Sequence, residues 1–261
     1  MKLTTIVALA AIAATPALAQ LAAPNAAGVS LGHIHLLVRD VDAQRQFWIM
    51  LGGKDIKDGQ REMFQFPGVF IALRKGEPAA GTVGSNVNHF GFHVQSVADI
   101  LVPIRSAGFK IEQNNPQQAF VTGPDDVRVE LLEDKTIPGP IAMHHVHMFV
   151  TAPLEVQAWY VKNFGAVAGK RGPFDTANLP GGVEISLTKA DAAQVPTKGR
   201  AVDHIGFEVK NLDAFVKKLE AQGVKLDDQP HLAPNTNVKI AFLTDPWGTY
   251  IELTQGISPQ I

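Results

Sequence analysis

The sequence predicts an α+β fold built from four βαβββ modules, two to a domain. Two observations predict it. Histidines recur at His33, His89, His145 and His204, with gaps of 56, 56 and 59 residues, each inside a short apolar, strand-like run. The second and fourth copies then end in matching strands, VRVELLE with Glu130 and TYIELTQ with Glu252. A repeat of this period signals one supersecondary unit used several times.

Taken in order, the chain opens with Lys2, an apolar run from Leu3 to Ala14, and Ala17-Leu18-Ala19. That pattern predicts a signal peptide over residues 1–19, cleaved after Ala19, and hence a periplasmic or secreted protein. The run is too short to span a bilayer, which needs about 20 residues. Residues 20–30 read as a linker.

The first module opens with a strand at Leu31–Val38. Asp40 caps a helix containing Phe47, Trp48 and Leu51, and Gly52-Gly53 stops it. Strands follow at Met63–Phe66 and Val69–Leu73. The second module repeats this with a strand at Val87–Val94, a helix near Val97–Ala107 and strands running to Leu132. Pro103 is expected to shorten or kink that helix. Together these modules make an N-terminal domain over 31–135. Thr136-Ile137-Pro138-Gly139-Pro140 places a linker at 136–142. A C-terminal domain over 143–256 holds the third module, from Met143, and the fourth, from near Val202. Helices are expected near Pro153–Asn163 and Leu212–Gln222, the latter with Leu212, Phe215, Val216 and Leu219 on one face. The simplest pairing joins first with second and third with fourth; the alternative joins first with fourth and second with third.

Composition narrows the chemistry. Hydrophobic residues make up 46% of the chain, which supports packed cores, and net charge is −2 with no basic block. A nucleic-acid or membrane surface is not expected; a small-molecule substrate is, and oligomerisation stays open. Cysteine is absent, so thiol catalysis and cysteine ligation are excluded. A metal must then be held by His, Asp, Glu and other oxygen ligands.

Alternate strand residues face one side. His33 shares a face with His35, His89 with His93, His145 with His147, Glu130 with Arg128, and Glu252 with Tyr250. Val129, Leu131, Ile251 and Leu253 point the other way, into a core. Two imidazoles and a carboxylate leave open positions on a divalent ion, which suits Fe(II) oxygen chemistry or catalytic zinc.

On these residues the chain resembles the vicinal oxygen chelate superfamily, which includes glyoxalase I, extradiol dioxygenases and bleomycin-resistance proteins. The resemblance runs over about residues 31–256. It rests on the first-strand His followed by Val38 and Asp40, on Asn88-His89 and Asp203-His204, and on Asp245-Pro246-Trp247-Gly248 leading to Glu252. It implies glyoxalase/dioxygenase-like domains whose curved mixed sheets surround cavities. It also implies metal ligands at His145, His204 and Glu252 in the C-terminal domain, the favoured site, and at His33, His89 and Glu130 in the N-terminal one. Fe(II) fits first, with Zn, Mn or Ni as alternatives.

The chain departs from the relatives at several positions. Where glyoxalase I has a further carboxylate, this chain has Ala72 and Ser186, with Glu184 close by. Where extradiol enzymes carry a tyrosine, it has Phe120 and Phe242. His147, Tyr250 and His231 are the candidates for catalytic roles, Tyr250 as a hydroxyl from another strand and His231 as an acid/base. His35 and His147 read as cavity-lining rather than ligating, His144 as facing away, and Arg128 as an anion contact or an ion pair. The expected function is an exported metal-dependent enzyme that chelates neighbouring oxygens of a small substrate, dioxygenase-like and hence an oxidoreductase. The alternatives are a glyoxalase-like lyase or isomerase and a non-catalytic binder of the bleomycin-resistance type.

Overall fold

A computed structural model describes residues 21–58 and 61–257; the expected signal peptide lies outside the described residues. Four copies of βαβββ follow one another. The first is β1 (Val29–Val38), α1 (Val41–Met50), β2 (Lys54–Asp58), β3 (Arg61–Phe66) and β4 (Val69–Lys75). The second is β5 (Val87–Val94), α2 (Val97–Ser106), β6 (Lys110–Asn115), β7 (Gln118–Thr122) and β8 (Arg128–Glu133). The third is β9 (Ile141–Val150), α3 (Pro153–Phe164), β10 (Val167–Arg171), β11 (Phe174–Asn178) and β12 (Glu184–Lys189). The fourth is β13 (Val202–Val209), α4 (Leu212–Ala221), β14 (Leu226–Leu232), β15 (Lys239–Thr244) and β16 (Tyr250–Gln255).

Local chemistry sets the helix ends. Asp40 accepts from the amides of Asp42 and Ala43, Ser96 from Asp99 and Asn211 from Ala214, each satisfying orphan donors of a first turn. α3 instead starts on Pro153 and stops at Gly165, whose φ of 68° suits glycine. Pro103 does not shorten α2, which runs ten residues like α1 and α4. Residues 21–28 are more than a linker. Asn25 donates to the carbonyls of Phe164 at 2.9 Å and Gly165 at 3.0 Å, tying the start of the chain to the end of α3.

The pairing of modules overturns the simplest expectation. One eight-stranded sheet runs β14-β15-β16-β13-β1-β4-β3-β2, joining the first module to the fourth. The other runs β10-β11-β12-β9-β5-β8-β7-β6, joining the second to the third. The seams are antiparallel pairs of opening strands, β1 with β13 and β5 with β9. A division of the sheets at 136–142 therefore does not hold: that segment links two modules that share a sheet. Both sheets are mixed and open.

The second strand of every module is a sheet edge. Edge strands face more water, so β2, with Lys54, Asp55, Ile56, Lys57 and Asp58, lacks the alternating apolar signal and escaped the sequence reading. The core sits on the helix-covered faces. Trp48 of α1 stacks on Phe90 of β5 at 5.9 Å, and Phe164 of α3 packs on Phe207 of β13 at 4.6 Å. Helices of one sheet thus fill against strands of the other, and a single apolar core spans both. Val129, Leu131, Ile251 and Leu253 are fully buried in it, as their strand parity requires.

Candidate metal centres

The two seams gather the histidines. On the first sheet, His33 Nε2 and His204 Nε2 lie 2.9 and 2.8 Å from the same oxygen, Glu252 Oε2. On the second, His89 Nε2 and His145 Nε2 lie 3.1 and 3.0 Å from Glu130 Oε2. The expected groupings are corrected: His145 does not meet His204 and Glu252, and His33 does not meet His89 and Glu130. The six residues are the same, but first-with-fourth pairing exchanges their partners. His35 joins the first centre and His147 the second. In each centre one ligand atom from every residue lies within 4.8 Å of the others.

Close approach of these rings depends on glycine. A Cβ on Gly206 would stand 1.9 Å from His33 Cε1, and one on Gly91 would stand 2.3 Å from His145 Cε1. Each glycine leaves room for a ring laid across from the facing strand. A bulge at each seam adds to this. The register of β5 with β9 slips between Gly91 and Phe92, leaving His144 unpaired. His144 therefore does not face away: its Nδ1 lies 2.9 Å from His145 Nδ1, and its ring stacks on His93 at 3.8 Å. Alternation fails there because the bulge inserts a residue.

The outer nitrogens of two ligand candidates are held from behind. His204 Nδ1 meets Asp203 Oδ1 at 2.7 Å, and His89 Nδ1 meets Asn88 Oδ1 at 2.9 Å. Such partners fix ring orientation and tautomer. The Asp-for-Asn difference reverses the electrostatics. Burial pushes the His204 pKa down, but Asp203 and Glu252 outweigh it and the net shift is upward. Burial lowers His89 to about 4, with only Glu130 opposing strongly. Burial also takes His147 to about 2, and it drives His35 well below its ordinary value with help from His204 and His33. Both glutamates resist burial and stay well below the carboxylate range: His145 and His89 hold Glu130, and His33 and His204 hold Glu252.

This donor set fits a divalent ion. Imidazoles held neutral at His35, His89 and His147 stand beside ionised Glu252 and Glu130, protonation states that metal binding needs. His35 Nε2 and His147 Nδ1 are buried with no hydrogen-bond partner among the described residues. Such groups are costly unless something satisfies them. His33, His204 and Glu252 would hold one ion, and His89, His145 and Glu130 a second, with His35 and His147 beside them.

The remaining candidates divide. Tyr250 stands beside the first centre, its ring 5.7 Å from His204 and stacked on Phe242 at 5.1 Å. Burial, with Asp203 next, raises its hydroxyl to about 12, so it stays a protonated donor. His231 is not brought to either centre. It lies exposed on edge strand β14, against the Gln229 carbonyl at 2.9 Å. Glu184 does not join the donors of the second centre; it pairs with Arg171 and accepts from Ser186 Oγ at 2.8 Å. Arg128 donates to Asn88 Oδ1 at 3.3 Å, pairs with Glu112 at 3.2 Å and lies 3.8 Å over Phe120. Sequence reasoning missed the positioning role of Asn88 and Asp203, and that of Gly91 and Gly206, although the last two stand two residues after a repeated histidine.

Comparison with known proteins agrees with this architecture. Residues 142–253 match the sequence model of the Glyoxalase/Bleomycin resistance protein/Dioxygenase superfamily. Glyoxalase I from Zea mays superposes with a TM-score of 0.70 at 19% identity, over 87% of this chain and 92% of that one. A candidate dioxygenase from Bacillus subtilis superposes at 0.62 and 14% identity, over 91% of this chain and 86% of its own. At such identities the likeness establishes the fold: paired modules of the glyoxalase I kind. Among curated proteins none matches the sequence.

Proposed function

We propose that this chain is an exported, metal-dependent enzyme that binds a small substrate through two neighbouring oxygens and acts as a dioxygenase-like oxidoreductase. The observation that carries the metal-dependent reading is a single carboxylate oxygen, Glu252 Oε2, held within 2.9 Å of two imidazole nitrogens from opposite halves of the chain. Glu130 repeats the arrangement on the second sheet.

A divalent ion there would supply Lewis acidity and a template for the substrate's oxygens. The chain's own residues do the rest. Asp203 and Asn88 keep the rings of His204 and His89 turned inward. Burial of His33, His204, His89, His145 and His147 limits water at the donors. Tyr250, protonated at neutral pH, offers a hydrogen bond beside the first centre. The nitrogen-rich, single-carboxylate set suits Fe(II) or zinc better than the oxygen-seeking Mg or Ca. Ala72 and Ser186 leave each centre one carboxylate.

Anaerobic reconstitution with Fe(II), followed by oxygen uptake with vicinal diols such as catechols, tests this. Stoichiometric metal with oxygen consumption is expected. Stoichiometric metal without oxygen consumption, but with isomerisation of a 2-oxoaldehyde adduct, would replace it with the lyase reading. Failure to bind any divalent ion would leave the binder reading. Export rests on the Lys2, apolar run and Ala17-Leu18-Ala19 pattern alone. The intact mass of exported protein should begin at Gln20; a mass retaining residues 1–19 overturns it. Among the described residues no helix is long and apolar enough to cross a membrane.

A further inference from the structure

We infer that each centre has a fourth protein ligand, His35 in the first and His147 in the second, moved there from a position on the neighbouring strand. This rests on the metal-dependent reading above. A reciprocal pattern runs across the hydrogen-bonded strand pairs. In the fourth module Gly206 sits opposite Glu252, and in the second Gly91 sits opposite Glu130. In the first module the same two positions are His35 opposite Ala72, and in the third His147 opposite Ser186. Wherever one strand carries the long donor, its neighbour carries a small residue. The donor stands on the last strand in modules two and four and on the first strand in modules one and three.

Geometry supports the exchange twice over. The His35 ring lies 4.4 Å from that of His204, and the His147 ring 4.7 Å from that of His89, both tilted by 45°. In both centres the transposed histidine carries a buried nitrogen without a partner among the described residues, Nε2 in His35 and Nδ1 in His147. They use opposite nitrogens because His147 Nε2 is taken by Thr188 Oγ1 at 2.8 Å. Three imidazoles and one carboxylate would leave a six-coordinate divalent ion room for two neighbouring substrate oxygens. An oxygenase acting at such a centre must free one more position; a lyase need not.

The test uses the mature chain loaded with Co(II) or Zn(II), with affinity read by chelator competition and ligand number by Co(II) absorption. Loss of a residue that merely orients a ligand weakens metal binding by about 10- to 100-fold. His35→Ala should weaken the first centre by more than that and change the Co(II) spectrum, and His147→Ala should do the same at the second. His35→Gly combined with Ala72→Glu copies the fourth-module pattern and should restore tight binding that His35→Gly alone loses. Melting curves identify any variant that fails to fold, and His35→Asn, which keeps most of the volume, replaces it. Affinity and spectrum unchanged in His35→Ala and His147→Ala, while Glu252→Ala and Glu130→Ala lose metal, would overturn the fourth ligand alone. Retention of metal by both glutamate variants would overturn the metal centres themselves.

Discussion

One atom distinguishes the two centres most sharply. Behind His204 stands the carboxylate of Asp203, and behind His89 the amide of Asn88. The carboxylate raises ligand basicity and stiffens the ring. Asp203→Asn should therefore make the first centre resemble the second and weaken its metal affinity about tenfold, with little change at the second; metal titration of the variant checks this. The buried rings also set a pH dependence for the metal-free protein. His35, His89 and His147 are held neutral in the fold, whereas the unfolded chain protonates them below about pH 6.5. Stability is therefore lost as pH falls below that value, because the unfolded state binds more protons. Glu130, Glu252 and Asp203, with depressed values, lose their contribution further down, below about pH 4, as pH falls toward their lower folded values. His204, shifted upward, works the other way, but as one group against these three histidines. His89 alone, moving from 6.5 to about 4, corresponds to about 3 kcal/mol across that range. The melting temperature of metal-free protein should drop between pH 7.5 and pH 5; a flat profile would refute the buried-neutral assignment.

At the scale of elements, the antiparallel seams do the assembling. Each brings two opening strands together with a bulge and a glycine, so that a ring from one strand can lie across the other. Gly91→Ala would put a methyl group where the His145 ring stands, at 2.3 Å from Cε1. The ring must shift, at a cost of about 1–3 kcal/mol for an overpacked site. Metal stoichiometry should fall from two ions per chain to one, with the first centre intact. Two ions retained at wild-type affinity would mean that the seam tolerates the side chain. The helices contribute differently: their caps and apolar faces close the core, and none of the centre's donors stands on them.

For the whole molecule, the pairing of first with fourth module makes the chain one interdependent body. β1 pairs with β13 across more than 160 residues of sequence, from Val29↔Val209 to Leu36↔Val202. Loop closure over such distances slows folding. Each centre also draws donors from both sides of residues 136–140. A chain cut within that segment should give halves that each lack a complete centre. Separately purified, they should not bind metal in the native way; co-expressed, they should assemble one to one and recover two ions. Size-exclusion chromatography with metal analysis reads both outcomes, and a single half that binds an ion at wild-type affinity would contradict the pairing.

The sequence by itself determined the repeat, the βαβββ order, the six donors at His33, His89, His145, His204, Glu130 and Glu252, and the inward face of β8 and β16. These follow from local periodicity and from residue types that recur at one spacing. Tertiary structure alone decided which histidine meets which glutamate, because four similar modules present similar seams and no local signal says which two join. It alone placed His144 against His145, since a bulge breaks the alternation that parity arguments use. It alone gathered His35 and His147 with the other donors. Their place depends on small residues at Ala72 and Ser186 on a neighbouring strand, and that neighbour is known only once the strands have paired.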